Sequence, residues 1–333
     1  MRTARLRVNT ESPDPELIAE AAAVLRSGGL VAFPTETVYG LGASALDATA
    51  VARIFRVKSR PANNPIIVHV GDAAAAQAVA ATWPAAAVQL SQRFWPGPLT
   101  LVLPKRPEVP DIVTAGAPTV AVRVPVHPVA LALLNKAAVP VAAPSANRSA
   151  RLSPTTADHV LASLDGVIDM VLDAGPCPVG VESTVVDLTT EPPRLLRPGH
   201  ITPAEIAKAI GPITLAAPWA GGDQPLTSPG MMARHYAPRA PLELVTGDAP
   251  ERIALLCQSG KKVGWLKLGP GKVANLPGLM CVNMPADPVA YAARLYAELH
   301  ALDDVGATRI IVDMPPDGEA WLAVRDRLRR ASS

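Results

Sequence analysis

Cysteine is scarce in this chain and metal-ligand spacings are missing. Cys177, Cys257 and Cys281 lie far apart with no CxxC pair, and no two of the six histidines stand in HxxxH spacing. Neither a disulfide framework nor a protein-held metal site is expected, and a reducing, cytoplasmic setting is the natural one. Aromatics are only 4% of the 333 residues against 49% hydrophobic residues in all, so the core must be largely Ala, Val and Leu. Charge of one sign is also lacking. A net +2 does not make an extended polyanion-binding surface, though it leaves room for a local basic patch. The longest apolar stretch, VPVHPVALALLNKAAVPVAAP, is broken by His127, Lys136 and prolines and is no membrane span. MRTARLRVNTESPDPEL at the start has no apolar segment of the secretory type.

The common nucleotide-binding motifs are absent too. There is no GxxxxGK[ST] and no GxSxG. GLGASA at 40–45 fits GxGxx[GA], but TVYG separates it from the preceding strand and no acidic residue falls near 60–68. A dinucleotide site is not expected.

What is present is an alternation of short apolar runs and Ala-rich helical windows. PELIAEAAAVLRSGG reads as a helix opening near Pro15 and stopped by Gly28-Gly29, and DATAVARIFRVK as a helix capped by Asp47. LVAFP, PIIVHV, LTLVLP, TVAVRV, VPVAAP, IDMVLDA and STVVDL read as strands. The result is a mixed α/β domain over 1–210. Pro- and Gly-rich sequence over 211–238 reads as an interdomain linker, and 239–333 as a small α/β domain.

Polar groups recur at the ends of the apolar runs. KSRPANNPIIVHV sets Lys58 and Arg60 in a cationic loop ahead of a strand bearing His69 on the face of Ile67. In FPTETVYGLG, extended backbone puts Thr35 and Thr37 on one face and Glu36 on the other, and Gly40 and Gly42 allow a close turn. In TVAVRV, Thr119, Ala121 and Arg123 share a face, so Arg123 either reaches solvent or enters a cleft floored by the sheet. PSANRSARLSPT collects hydroxyls, Asn147 and two arginines after a strand, with Ser153 placed to cap a helix. Ser183 and Thr184 open a strand, and Arg197 precedes a Pro-Gly turn. No nucleophile–base pair accompanies these groups. Such a set holds anions in place, which suits phosphoryl or nucleotidyl chemistry on a phosphorylated ligand.

KSRPANNPIIVHV, FPTETVYGLG, FWPGPLT, PSANRSARLSPT, GVESTVVD and LLRPG, in this order and spacing, resemble the threonylcarbamoyl-AMP synthases, the YrdC-like family. SPGMMARHYAP followed by a small domain resembles the two-domain members. The resemblance implies a YrdC-like twisted mixed sheet with a concave basic cleft and a small C-terminal Rossmann-like α/β domain. It implies synthesis of threonylcarbamoyl-AMP and pyrophosphate from L-threonine, bicarbonate and ATP with Mg²⁺. The product would pass to a separate threonylcarbamoyl transferase complex that modifies position 37 of tRNA. By the same resemblance Lys58 and Arg60, with Ser145 and Asn147, would line the nucleotide phosphates. Asn64, Thr119, Ser153 and Arg197 would make further ATP contacts, and Tyr236 would reach back over the nucleotide from the linker. Thr37, His69, Arg123, Ser183 and the backbone at Ala143 would hold threonine. Two positions depart from the family pattern. Ala150 stands where glycine is common, and Met232-Ala233 where Lys-Tyr is usual.

Two other readings follow from the basic cleft. One is a double-stranded RNA-binding or ribosome-maturation module, disfavoured by the low net charge and the absence of Lys/Arg runs. The other is carbamoyl transfer as in the larger hydrogenase-maturation proteins, whose zinc-finger and acylphosphatase segments this chain lacks. Weak RNA binding would be compatible with the synthase reading.

Overall fold

The computed structural model describes residues 2–216, 228, 235–271, 273 and 275–332. Most of the 211–238 linker, including Met232 and Ala233, lies outside the described residues. The strands are β1 (Ala4–Arg7), β2 (Val31–Phe33), β3 (Gly40–Ser44), β4 (Val68–His69), β5 (Leu99–Pro104), β6 (Thr119–Arg123), β7 (Val141–Ala142), β8 (Met170–Asp173), β9 (Thr184–Asp187), β10 (Arg194–Arg197) and β11 (Thr214–Leu215). They form a mixed sheet ordered β1-β8-β2-β3-β7-β4-β6-β5-β9-β10-β11. Four more strands, β12 (Leu242–Val245), β13 (Val263–Leu268), β14 (Leu279–Met284) and β15 (Arg309–Asp313), form a parallel sheet ordered β12-β15-β13-β14. The expected α/β architecture, a large mixed sheet plus a small parallel one, is what the chain adopts.

Local chemistry accounts for the helices that frame the site. Asp47 accepts from the Thr49 and Ala50 amides and starts the helix Ala48–Lys58. Pro128 and Pro288 open the helices Pro128–Ala137 and Pro288–Asp304, where a missing N–H costs nothing. Among the described residues no helix is long and apolar enough to cross a membrane.

Three local expectations are corrected. Gly40 and Gly42 are strand residues in β3, antiparallel to β2, and do not make the turn. A Cβ on Gly42 would meet Val141 Cγ1 at 2.8 Å and Phe33 Cε1 at 2.9 Å, so crowding between strands demands glycine there. Lys58 is the last residue of its helix and not part of the loop; Ser59, at φ 51°, turns the chain after it. Ser153 caps no helix, because Thr156 caps Ala157–Leu164 by accepting from the His159 amide.

Strand direction gathers the site. β4 and β6 are parallel with His69 opposite Arg123 at their carboxyl ends. β9 runs parallel to β5 and hence opposite to β6, so Ser183, just before it, arrives at the same end. β10 returns antiparallel to β9 and delivers Arg197 opposite Val185. Ile67, Val102, Ala121, Val185 and Leu196 pack as an apolar floor beside these groups.

Candidate active site

Arg123 is buried and enters the cleft. Its Nη2 pairs with Glu36 Oε1 at 2.6 Å, Nη1 donates to Thr37 Oγ1 at 3.0 Å and Nε to the Gly97 carbonyl at 3.2 Å. Glu36 and Thr37 therefore face the same side chain. The extended backbone expected here is replaced by a turn, in which Thr35 Oγ1 accepts from the Thr37 and Val38 amides at 3.2 Å each. Thr35 and Thr37 stay together, with hydroxyls 2.8 Å apart.

The cationic pair that opened the sequence argument is buried as well. Lys58 Nζ donates to the carbonyls of Ser145, at 2.6 Å, and Asn147. Arg60 Nε donates to the Asn64 carbonyl at 2.9 Å and Nη2 to Asn64 Oδ1 at 2.8 Å. Neutral oxygens satisfy the geometry but not the charge. Burial, and then Arg60 nearby, push the Lys58 pKa well below its ordinary value. Burial likewise lowers Arg60 to about 9, which leaves it protonated at neutral pH.

His69 is pushed down to about 3, by burial first and by Arg123 second, so its imidazole is neutral. Among the described residues its buried Nδ1 has no hydrogen-bond partner. Arg197 Nε donates to the Ser183 carbonyl at 3.0 Å and Nη2 to Ser183 Oγ at 3.1 Å, while Ser183 Oγ meets Thr100 Oγ1 at 2.8 Å. Asn147 Nδ2 donates to the Arg148 and Arg151 carbonyls, at 2.9 and 2.8 Å, and tightens the loop that carries Ser145.

A cavity of about 50 Å³ lies between these groups. Thr37, His69, Arg123, Ala143 and Ser183 line it, and so do Arg60, Ser145, Arg197 and Tyr236. Lys58, Asn64 and Asn147 do not line it; Lys58 holds the Ser145 carbonyl, Asn64 holds Arg60 and Asn147 ties its own loop. Ser153 reaches it through Glu182, donating to Oε1 at 2.5 Å. Thr119 is not brought in. It starts β6, four residues from Arg123 and about 13 Å away at the usual strand rise.

Sequence reasoning missed Glu182, Tyr296 and Arg327. Glu182 lines the cavity, accepts from Tyr296 OH at 3.1 Å and pairs with Arg327 Nε at 2.7 Å. Burial would raise its carboxyl pKa, but Arg327, Arg197 and the hydrogen bonds from Ser153 and Arg327 outweigh burial and hold it below the ordinary value. Tyr236 is buried over the cavity at φ 61°, and Ala150 has φ 64°, so the position where the family usually has glycine does require left-handed backbone. The two strained stretches are joined, since the amide of Ala237, next to Tyr236, donates to the Ala150 carbonyl at 3.0 Å.

The family model described as telomere recombination, which covers Sua5, YciO and YrdC, matches residues 23–199. The model for the C-terminal domain of threonylcarbamoyl-AMP synthase matches residues 201–333. The threonylcarbamoyl-AMP synthase of Bacillus subtilis is 44% identical over 96% of this chain and 93% of its own length. That of Pyrococcus abyssi is 44% identical over 94% and 93%. The crystal structure of P. abyssi Sua5 complexed with L-threonine superposes with a TM-score of 0.90 at 42% identity, over 99% of this chain and 98% of that one. The chain belongs to the threonylcarbamoyl-AMP synthase family, enzymes of the nucleotidyltransferase type.

Proposed function

We propose that the protein makes L-threonylcarbamoyl-AMP from L-threonine, bicarbonate and ATP, releasing pyrophosphate. The product would serve N6-threonylcarbamoyladenosine formation at position 37 of tRNA, with a separate transferase performing the last step. The observation that carries this reading is an excess of buried positive charge. Lys58, Arg60, Arg123 and Arg197 are buried around the cleft, whereas the buried carboxylates there are Glu36, paired with Arg123, and Glu182, paired with Arg327.

Threonine's amine and bicarbonate give a carbamate whose oxygen attacks the α-phosphorus of ATP, and the bond to pyrophosphate breaks. Carbamate, threonine carboxylate and triphosphate repel one another, by roughly 4 kcal/mol per close pair at an effective dielectric near 20. Arg123 and Thr37 would take the carboxylate, with Ser183, His69 and the backbone at Ala143 around the rest of threonine. Neutral His69 can take a hydrogen bond from the amine without adding charge. Lys58, Arg60 and Arg197, with Ser145 and Asn147, would face the phosphates, assisted by the Mg²⁺ that accompanies ATP. An anion beside Lys58 would offset the burial and the neighbouring Arg60 and return its pKa toward the ordinary value. Asn64, Ser153 and Thr119 complete the proposed nucleotide contacts, Thr119 on the same sheet face farther out. We assign 1–210 to catalysis, 211–238 to a linker from which Tyr236 would reach the nucleotide, and 239–333 to a small domain.

Pyrophosphate release from ATP and Mg²⁺ tests the reading. Release that depends on both L-threonine and bicarbonate, with serine far weaker, is the expected outcome. A folded, ATP-binding protein that releases none would overturn it.

A further inference from the structure

Arg327 is the one charged residue among those described after 239 that is buried as a whole. It belongs to the last helix, Leu322–Ser332, and its side chain is 0% exposed. Two of its three donor nitrogens reach out of the small domain. Nε goes to Glu182 Oε2 at 2.7 Å and Nη2 to the Pro198 carbonyl at 3.1 Å, next to Arg197, while Nη1 meets Asp326 Oδ2 at 2.6 Å. The guanidinium carbon stands 5.1 Å from the centroid of the Tyr236 ring. Tyr296, from the helix Pro288–Asp304, adds a second hydrogen bond to Glu182 from the same domain. Close docking supports this register. Gly180, two residues before Glu182, lies so near that helix that a Cβ would come within 2.5 Å of the Ala292 carbonyl oxygen.

Stability alone does not explain such a pair. Replacing a buried ion pair by packed apolar residues is often neutral or stabilising, so an inward arginine needs another reason. That reason lies in Glu182. A lone carboxylate on the wall of a cavity meant for anions would repel them, and a protonated one would hold the Ser153 hydroxyl only through a weaker, neutral hydrogen bond.

We propose that Arg327 is a positioning residue for nucleotide binding: it neutralises and orients Glu182, which in turn fixes Ser153, and it packs over the ring of Tyr236, so the C-terminal domain completes the active site. This rests on the proposed synthase reading.

The test compares the full-length parent with Arg327→Met, Arg327→Lys and the double variant Arg327→Met/Glu182→Gln. Equilibrium binding of ATP and of L-threonine is measured for each, together with thermal unfolding. Arg327→Met is expected to weaken ATP binding about 10- to 100-fold, the worth of one hydrogen bond to a charged group, and threonine binding less than threefold. Arg327→Lys should recover part of the loss. The double variant removes the unpaired charge and should unfold like the parent, yet still bind ATP weakly, because Ser153 has lost its charged acceptor. Parental ATP affinity in Arg327→Met or in the double variant would overturn the inference alone. A parent that binds no ATP would overturn the synthase reading and this inference with it.

Discussion

At one end of the large sheet His69, Arg123, Ser183 and Arg197 are buried around one cavity, whereas the buried side chains of the four-stranded sheet are Leu242, Val263, Trp265, Leu266, Met284 and the Ile310–Val312 run. Backbone strain divides the same way. The non-glycine residues with positive φ among those described are Ser59, Ala115, Ala138, Ala150 and Tyr236, all before 239, while the small domain gives its left-handed positions to glycines such as Gly247, Gly269 and Gly306. A region that buries charge and tolerates strain is held to a task other than stability. The small domain follows ordinary packing rules except at Arg327, and that exception points at the other region's site.

The largest expected effect tests whether the buried cations serve the chemistry. Lys58→Ala or Arg60→Ala should cut threonine-dependent pyrophosphate release by roughly 10²- to 10³-fold, the usual cost of deleting one preorganised charge-stabilising donor. Lys267→Ala is the matching change in the small domain, where the amine caps the Gly269 and Pro270 carbonyls, and should alter the rate less than twofold. Equal losses in the two regions would erase the contrast.

The seam between the regions gives a smaller effect. His159, from the large domain, stacks on His300 of the small one with ring centroids 3.9 Å apart. Burial, then His300, lower His159 from 6.5 to about 4, and burial also lowers His300. Asp158, Asp304 and Arg239 are the charged groups facing the pair. Both folded-state pKa values are depressed, so the unfolded chain binds more protons below its own value of 6.5. The stabilisation is present above that pH and lost as pH falls toward 4. Urea unfolding between pH 7 and 5, before most carboxylates titrate, should show a shallower decline for His159→Gln/His300→Gln than for the parent. A parallel decline would mean the pair stays neutral without consequence and the seam is not pH-sensitive.

How much of this was legible in the sequence depended on the range of the forces involved. Strands and caps follow from local periodicity and side-chain chemistry, so Asp47 and the helix from Pro15 were readable. The polar groups at strand ends were readable as a class, and their order carried the family resemblance. Arg123 was left between solvent and cleft because its partner Glu36 is 87 positions away and joins it through a turn that extended backbone did not suggest. Arg327 was hidden more deeply. It is one of four arginines in RDRLRR, and its distinction is a carboxylate 145 residues away. Periodicity reports which face of a helix is buried, and says nothing of a charge taken into that face by a partner from another domain.

The smallest expected effect concerns Ala150, whose φ of 64° an alanine adopts at a cost of about 1–2 kcal/mol. Glycine would remove that cost but gain about 0.5–1 kcal/mol of unfolded-chain entropy to be lost on folding. Ala150→Gly should therefore stabilise the protein by about 0.5 kcal/mol, readable as a small rise in urea midpoint with the slope unchanged. The carbonyl of Ala150 holds the Ala237 amide next to Tyr236, so the substitution also loosens the seat of the linker. If strain at this loop is only tolerated, turnover should stay within twofold of the parent as stability rises. If turnover falls several-fold while stability rises, the strain itself presets the phosphate loop, and the contrast between the two regions extends from charge to backbone.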